Sequence, residues 1–200
     1  MTDARLTGPI TGGTHGWPQS GSLADFASLG YVEEEFFLEG EAPVFRPMRD
    51  ELRFDGRWDA VQAGTLPFKT RLVVRRPTDP ARFNGTVLLV WSNVSMGCDM
   101  VAHDTAEITD GGFAVVIVSA QAVGVHGFSD SHPLGLTAWD PERYGSLHIS
   151  SDDASYGIFS LAAAAVGPGR EVGASDPLPG LVVERIVATG ASQSAARLRS

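Results

Sequence analysis

The chain has 200 residues, 43% of them hydrophobic and 20% charged, the balance of a globular domain with a sizeable core. Lys+Arg number 15 against Asp+Glu 24, for a formal net charge of −9, and no basic stripe is present, which argues against nucleic acid as a partner. The acidic residues are dispersed, with only Glu33-Glu34-Glu35 and Asp152-Asp153 as short runs, and read as solubility.

Residues 1–30 are rich in Gly, Pro, Thr and Ser and read as an extended arm. Tyr31–Leu38 is β-rich, and its glutamates suggest an edge strand. Glu39–Arg46 reads as a turn region, and Leu66–Arg75 as a second strand stopped by Pro77 and Pro80. Asn84-Gly85 is a turn signal. Thr86–Trp91 is continuously apolar, as a strand buried on both faces must be. Asp99–Thr109 predicts a helix closed by Gly111-Gly112. Phe113–Ser119 predicts another doubly buried strand, and Gly124–Tyr144 a long loop. Asp152 or Asp153 is placed to cap a helix through Ala154–Val166, ended by Gly167-Pro168-Gly169. Asp176–Gly180 is a loop, and Ile186–Thr189 predicts a further buried strand.

Short apolar strands thus alternate with helices in the second half. That pattern predicts an α/β fold, a mostly parallel sheet with helices on both faces. The first two strands, joined without a helix, predict an antiparallel start. One domain is expected, with an extended arm at 1–30 and the domain proper at 31–200.

Just after the last strand comes Gly190-Ala191-Ser192-Gln193-Ser194-Ala195-Ala196, a β-branched stretch running into small residues and then into a helix former. This is the sequence form of a nucleophile elbow, a strained strand-to-helix turn that lifts a serine hydroxyl above an α/β-hydrolase sheet. Gly190 and Ser194 stand two residues either side of Ser192, where bulk would collide with the strand or the new helix. Serine at 194, where the usual pattern has glycine, keeps that steric logic. The helix beginning near Gln193 aims its amides at the hydroxyl, so the Gln193 N–H is one oxyanion-hole donor. A second donor belongs in the loop after the third strand, here Trp91–Gly97. The Asn93 N–H is the first candidate and Val94 the second, against a plain role in satisfying turn backbone.

Further phrases extend the match: Tyr31-Val-Glu-Glu-Glu-Phe-Phe-Leu38, Thr70-Arg-Leu-Val-Val-Arg-Arg-Pro77, Phe83-Asn-Gly-Thr86 and Trp91-Ser-Asn-Val-Ser-Met-Gly97. Ser119-Ala-Gln-Ala-Val-Gly-Val125, Asp140-Pro-Glu-Arg-Tyr-Gly-Ser146, Ser155-Tyr-Gly-Ile-Phe-Ser160 and Ala188-Thr-Gly-Ala-Ser-Gln-Ser194 continue it. With them the chain resembles the α/β-hydrolase-domain proteins of serine esterase type, in their N-terminal half. The resemblance implies an α/β-hydrolase fold truncated after the elbow and a carboxylic ester hydrolase acting through an acyl-enzyme on Ser192. It implies a small-molecule ester as substrate and the remaining C-terminal half of the hydrolase domain as partner.

Serine needs an imidazole to take its proton and a carboxylate to hold that imidazole. His15, His103, His126, His132 and His148 all precede Ser192, whereas the order in this fold is serine, acid, histidine. The acid and the histidine are therefore expected beyond residue 200, and the 200-residue piece alone is expected to be inactive. His126, His132 and His148 lie in or near the long loop and are candidates for substrate contact, against scaffolding. Trp139 and Tyr144, with Phe128, are candidates for an apolar pocket, against packing of that loop. His103 beside Asp104 on a helix reads as solvated surface.

Cys98, the only cysteine, reads as a structural thiol because Asp99 beside it opposes a thiolate. No metal or cofactor motif is present. No apolar run reaches membrane-spanning length and no signal peptide is visible, so no membrane partner is expected and a cytoplasmic location is favoured. The alternative to an enzyme is a non-catalytic hydrolase-like domain that binds a ligand or partner.

Overall fold

The computed structural model describes residues 4–48, 59–100, 103–129 and 133–199. The strands are β1 (Arg5–Thr7), β2 (Tyr31–Pro47), β3 (Ala60–Pro77), β4 (Thr86–Trp91), β5 (Ala114–Val118), β6 (His148–Ile149) and β7 (Arg185–Gly190). The helices are α1 (Ala106–Asp110), α2 (Ala122–His126), α3 (Leu136–Trp139), α4 (Pro141–Tyr144), α5 (Ser155–Val166) and α6 (Gln193–Arg197). The strand order is β1-β2-β3-β5-β4-β7, with β6 paired to β3.

β4 pairs in parallel with β5 and with β7. β1 with β2, β2 with β3, β3 with β5 and β3 with β6 are antiparallel. The sheet is therefore mixed, and the mostly parallel sheet expected from the second half holds only for β4, β5 and β7. The cause is connectivity: β2 enters β3 with no crossover helix, and only a crossover makes neighbours parallel.

Residues of β5 alternate between two apolar clusters, as a strand buried on both faces requires. Val116 and Val118 join Leu89, Trp91, Ile158, Phe159, Ala162 and Val166 on one face. Val115 and Ile117 join Val73 and Val90 on the other, with Ile108 of α1 packed against them. α5 covers the first face. Trp91 stacks on Phe159 with ring centroids 4.9 Å apart and meets Tyr156 edge-on at 5.3 Å. α5 also touches β2, where a Cβ on Gly157 would stand 2.2 Å from the Pro43 carbonyl oxygen. Much of the second face is covered by the N-terminal arm rather than by a helix: Phe26 lies under the Arg75 guanidinium and Gln19 meets Arg71.

Several expectations change here. Glu39–Arg46 is not a turn; β2 runs on to Pro47, registered with β3 and bulged at Val44/Phe45. β1 reaches only Phe37–Glu39, so this stretch of β2 is an edge, where Pro43 is tolerated. Glu33–Glu35 is not a solvated run. Glu33 pairs with Arg75 at 2.7 Å, Glu34 with Arg76 at 2.7 Å, and Glu35 is buried against Arg71 and Arg143. The predicted helix at Asp99–Thr109 shrinks to Ala106–Asp110, because Asp99 is drawn into the interior by Arg71. His103 consequently lies in a loop at φ 70°, and Asp104 accepts a hydrogen bond from the Ser22 hydroxyl. The 124–144 segment contains α3 and α4 and overlaps α2. Ser151, not Asp152 or Asp153, caps the turn leading into α5.

Candidate active site

β7 lies beside β4 with Gly190 opposite Trp91. The chain then passes through Ala191 and Ser192 into α6. Ser192 adopts φ 56°, ψ −117°, a conformation that costs an L-residue about 1–3 kcal/mol and persists only where its surroundings impose it. The residue is exposed. Its surroundings are tight. A Cβ on Gly190 would lie 3.0 Å from the Ala195 nitrogen and 3.0 Å from the Ser194 carbonyl carbon. Ser194 is fully buried; its hydroxyl donates to the Ala191 carbonyl and accepts from the Ala191 N–H, each at 2.9 Å. Serine at this position therefore staples the turn, which glycine does not do.

The Gln193 N–H opens α6, so no carbonyl within the helix takes it. The loop after β4 comes directly against this turn. The Asn93 side chain donates to the Ala191 carbonyl at 2.8 Å and accepts from the Ser95 N–H at 2.9 Å. Asn93 thus satisfies its own turn and also ties it to the residue before Ser192. Val94 is buried, and its carbonyl accepts from Gly97 N–H at 3.0 Å to close the loop tip.

That loop is anchored from below. Arg71 is almost wholly buried; it donates to Asp99 at 2.9 Å, Glu35 at 3.3 Å, Ser119 Oγ at 3.3 Å and the Gln19 carbonyl at 2.8 Å. Burial opposes its charge, but Asp99 and Glu35 overcome this and hold the guanidinium above its ordinary pKa. Asp99 also accepts from the Ser119 hydroxyl, and its carbonyl accepts from Ser20 Oγ at 2.8 Å. Glu35 takes Arg143 Nε at 2.7 Å and the Tyr144 hydroxyl at 2.8 Å. The arm, β2, β3, the 92–100 loop and α4 therefore meet at one charge-balanced cluster. Burial, then Asp99, raises the Cys98 thiol above its ordinary value.

The pocket candidates separate. Tyr144 has no exposed surface, and its hydroxyl is committed to Glu35 and to the Gln19 N–H at 3.1 Å. Burial pushes its pKa up to about 12, with Arg71 working against the shift and Glu35 adding to it. A substrate has nothing of Tyr144 to touch, so its pocket role is corrected to a structural one. Trp139 is half-buried and stacked on His15 with centroids 4.0 Å apart, while the His15 ring bonds the Trp139 carbonyl at 3.0 Å. Phe128 is 59% exposed, and its ring covers Gly97 at the tip of the 92–100 loop. His126 and His148 face each other at 6.0 Å, and His126 Nε2 accepts from Ile149 N–H at 3.3 Å. Burial, then His148, lowers the His126 pKa. β6 occupies the column beyond the carboxyl end of β5, two strand positions from β7. At about 4.8 Å per strand this places His148 at the Ser192 end of the sheet but about 10 Å to the side. His132 lies outside the described residues. Among the described residues, no histidine shares a hydrogen bond or ring contact with Ser192.

Gln121, Asp152 and Arg197 also converge on the turn at Ser192, a placement that sequence reading missed. Gln121 is buried at the N-cap of α2 and accepts from the Gln193 side chain at 2.9 Å. The available signal was Trp91, whose indole N–H in an apolar strand needs an acceptor and finds it in Gln121 at 3.1 Å.

The arrangement is an exposed, strained serine on a strand-to-helix turn, with the first amide of α6 on one side and a polar loop on the other. Comparison with curated proteins and with solved structures found no match. A family model described as an alpha/beta hydrolase domain matches residues 6–200. The chain belongs to the alpha/beta hydrolase domain family.

Proposed function

We propose that the chain carries the nucleophile of a serine hydrolase acting on carboxylic esters. The observation that supports this most is the backbone of Ser192, exposed at φ 56°, ψ −117° between β7 and α6. Strain of this kind clusters at functional sites, and packing around Gly190 and Ser194 maintains it. In this reading Ser192 Oγ attacks the ester carbonyl and its proton passes to an imidazole. The Gln193 N–H and one amide of the loop after β4, Asn93 as first candidate and Val94 as second, hold the oxyanion. Loss of one such donor typically costs about 2.7–4 kcal/mol of transition-state stabilisation. The imidazolium then protonates the leaving alcohol, and water releases the acyl group from Ser192 by the reverse sequence.

The histidine and its carboxylate come from polypeptide outside residues 1–200, which is the partner this piece requires. The open side of β7, where Val187 is 47% exposed, suits such packing. The chemistry needs no cofactor. Hydrolysis of p-nitrophenyl acetate by the protein expressed from its full reading frame tests the proposal. Ser192→Ala reduces the rate to background. Undiminished hydrolysis by that variant removes Ser192 as the nucleophile, and a wild-type rate no faster than background leaves a non-catalytic ligand- or partner-binding domain.

A further inference from the structure

α6 is only five residues long, too short to hold its own geometry through helical hydrogen bonds. Two side chains from elsewhere hold it at both ends. At its first residue, Gln193 Nε2 donates to Gln121 Oε1 at 2.9 Å. Gln121 Nε2 donates to Asp152 Oδ2 at 3.0 Å. At the last residue of α6, Arg197 Nη2 donates to that same Asp152 Oδ2 at 2.8 Å. The chain Gln193–Gln121–Asp152–Arg197 thus brackets the helix.

Each link is itself fixed. Gln121 Oε1 also accepts from Trp91 Nε1 at 3.1 Å, so turning the carboxamide over would set an N–H against an N–H. Asp152 Oδ1 accepts from Ala122 N–H at 2.8 Å, which pins the carboxylate to the residue after Gln121. Arg197 Nη1 donates to Ser155 Oγ at 3.0 Å, and its guanidinium lies 5.9 Å from the Trp91 ring centre. The anchors therefore belong to the last residue of β4, the N-cap of α2, the turn before α5 and the first residue of α5.

We propose that Gln121 and Asp152 are positioning residues for the oxyanion hole. They fix the Gln193 side chain and the axis of α6, and so aim the Gln193 N–H at the developing oxyanion. Neither touches the substrate. The proposal rests on the serine-hydrolase reading, and its test separates the two.

The experiment uses the protein expressed from its full reading frame, with p-nitrophenyl acetate as substrate and a fluorophosphonate as active-site label. Gln121→Leu keeps the volume and removes both polar functions. Gln193→Ala removes the side chain and leaves the backbone N–H. A misaimed donor costs less than an absent one, for which kcat falls about 10²–10³-fold, so each variant loses about 10–100-fold in kcat. KM changes by less than about 2-fold, because the interaction acts on the transition state. The double variant is no slower than the slower single one, since both break the same link. If Gln121→Leu does not fold, Asp152→Asn takes its place in the cycle with the same expected results. Wild-type kcat in Gln121→Leu or Asp152→Asn, a change confined to KM, or fully additive losses overturn the proposal. Equal labelling of wild type and Ser192→Ala would instead overturn the hydrolase reading beneath it.

Discussion

Arg71→Met removes a guanidinium that touches both Glu35 and Asp99 and leaves an apolar chain of similar reach. Glu35 keeps Arg143 at 2.6 Å and the Tyr144 hydroxyl at 2.8 Å, so its charge stays compensated. Asp99 does not fare as well. It is fully buried, it keeps only the Ser119 hydroxyl on Oδ2, and its Oδ1 has no hydrogen-bond partner. Breaking a buried ion pair from one side costs about 3–5 kcal/mol, a large part of the roughly 5–15 kcal/mol that holds a domain folded. The Gln19 carbonyl also loses its donor, at 2.8 Å in the native chain, which loosens the arm. Urea unfolding followed by circular dichroism reads the effect. With a slope of about 2 kcal/mol/M the midpoint falls by about 1.5–2.5 M. Arg71→Met/Asp99→Asn regains part of that loss because no stranded charge remains. A fall of less than about 0.5 M in the single variant, or no recovery in the double, would refute the view that this cluster anchors the arm and the 92–100 loop.

Gly190→Ala puts a methyl group 3.0 Å from the backbone of Ser194 and Ala195, so α6 must shift. The expected cost is about 1–3 kcal/mol, with slower fluorophosphonate labelling; an unchanged thermal midpoint and labelling rate would contradict the packing argument. His103 has its pKa lowered by burial and then by Arg75, and its buried Nδ1 has no hydrogen-bond partner among the described residues. The folded value lies below the ordinary one of about 6.5, so between the two the unfolded chain binds more protons and stability falls as pH drops. His103→Asn, which tolerates the φ of 70°, narrows the gap between urea midpoints at pH 7 and pH 5; an unaltered gap sinks the assignment.

What could be read before folding was local. Thr86–Trp91 and Phe113–Ser119 announce themselves because a doubly buried strand has to be apolar at every position. The tight strand-to-helix turn at Ser192 announces itself because its steric demand falls on residues within two positions of it. The misread parts depend on partners far away in the chain. Glu33–Glu35 looks like a solvated edge until Arg71, Arg75 and Arg76 arrive across the hairpin. Asp99 looks like the start of a helix until a guanidinium 28 residues earlier draws it inward. Gln121 and Gln193 stand 72 residues apart, and no periodicity marks two amides that will meet. Tyr144 shows the same limit from the other side: an aromatic in a long polar loop looks like a pocket wall but belongs to a buried cluster.

Ser192 is the proposed nucleophile. Fluorophosphonate treatment of the protein expressed from its full reading frame, followed by peptide mass mapping, tests this directly. One phosphonyl adduct is expected, on the peptide containing Ser192, and it disappears when the protein is denatured first and in Ser192→Ala. An adduct on another residue, or none on a folded protein, would contradict it.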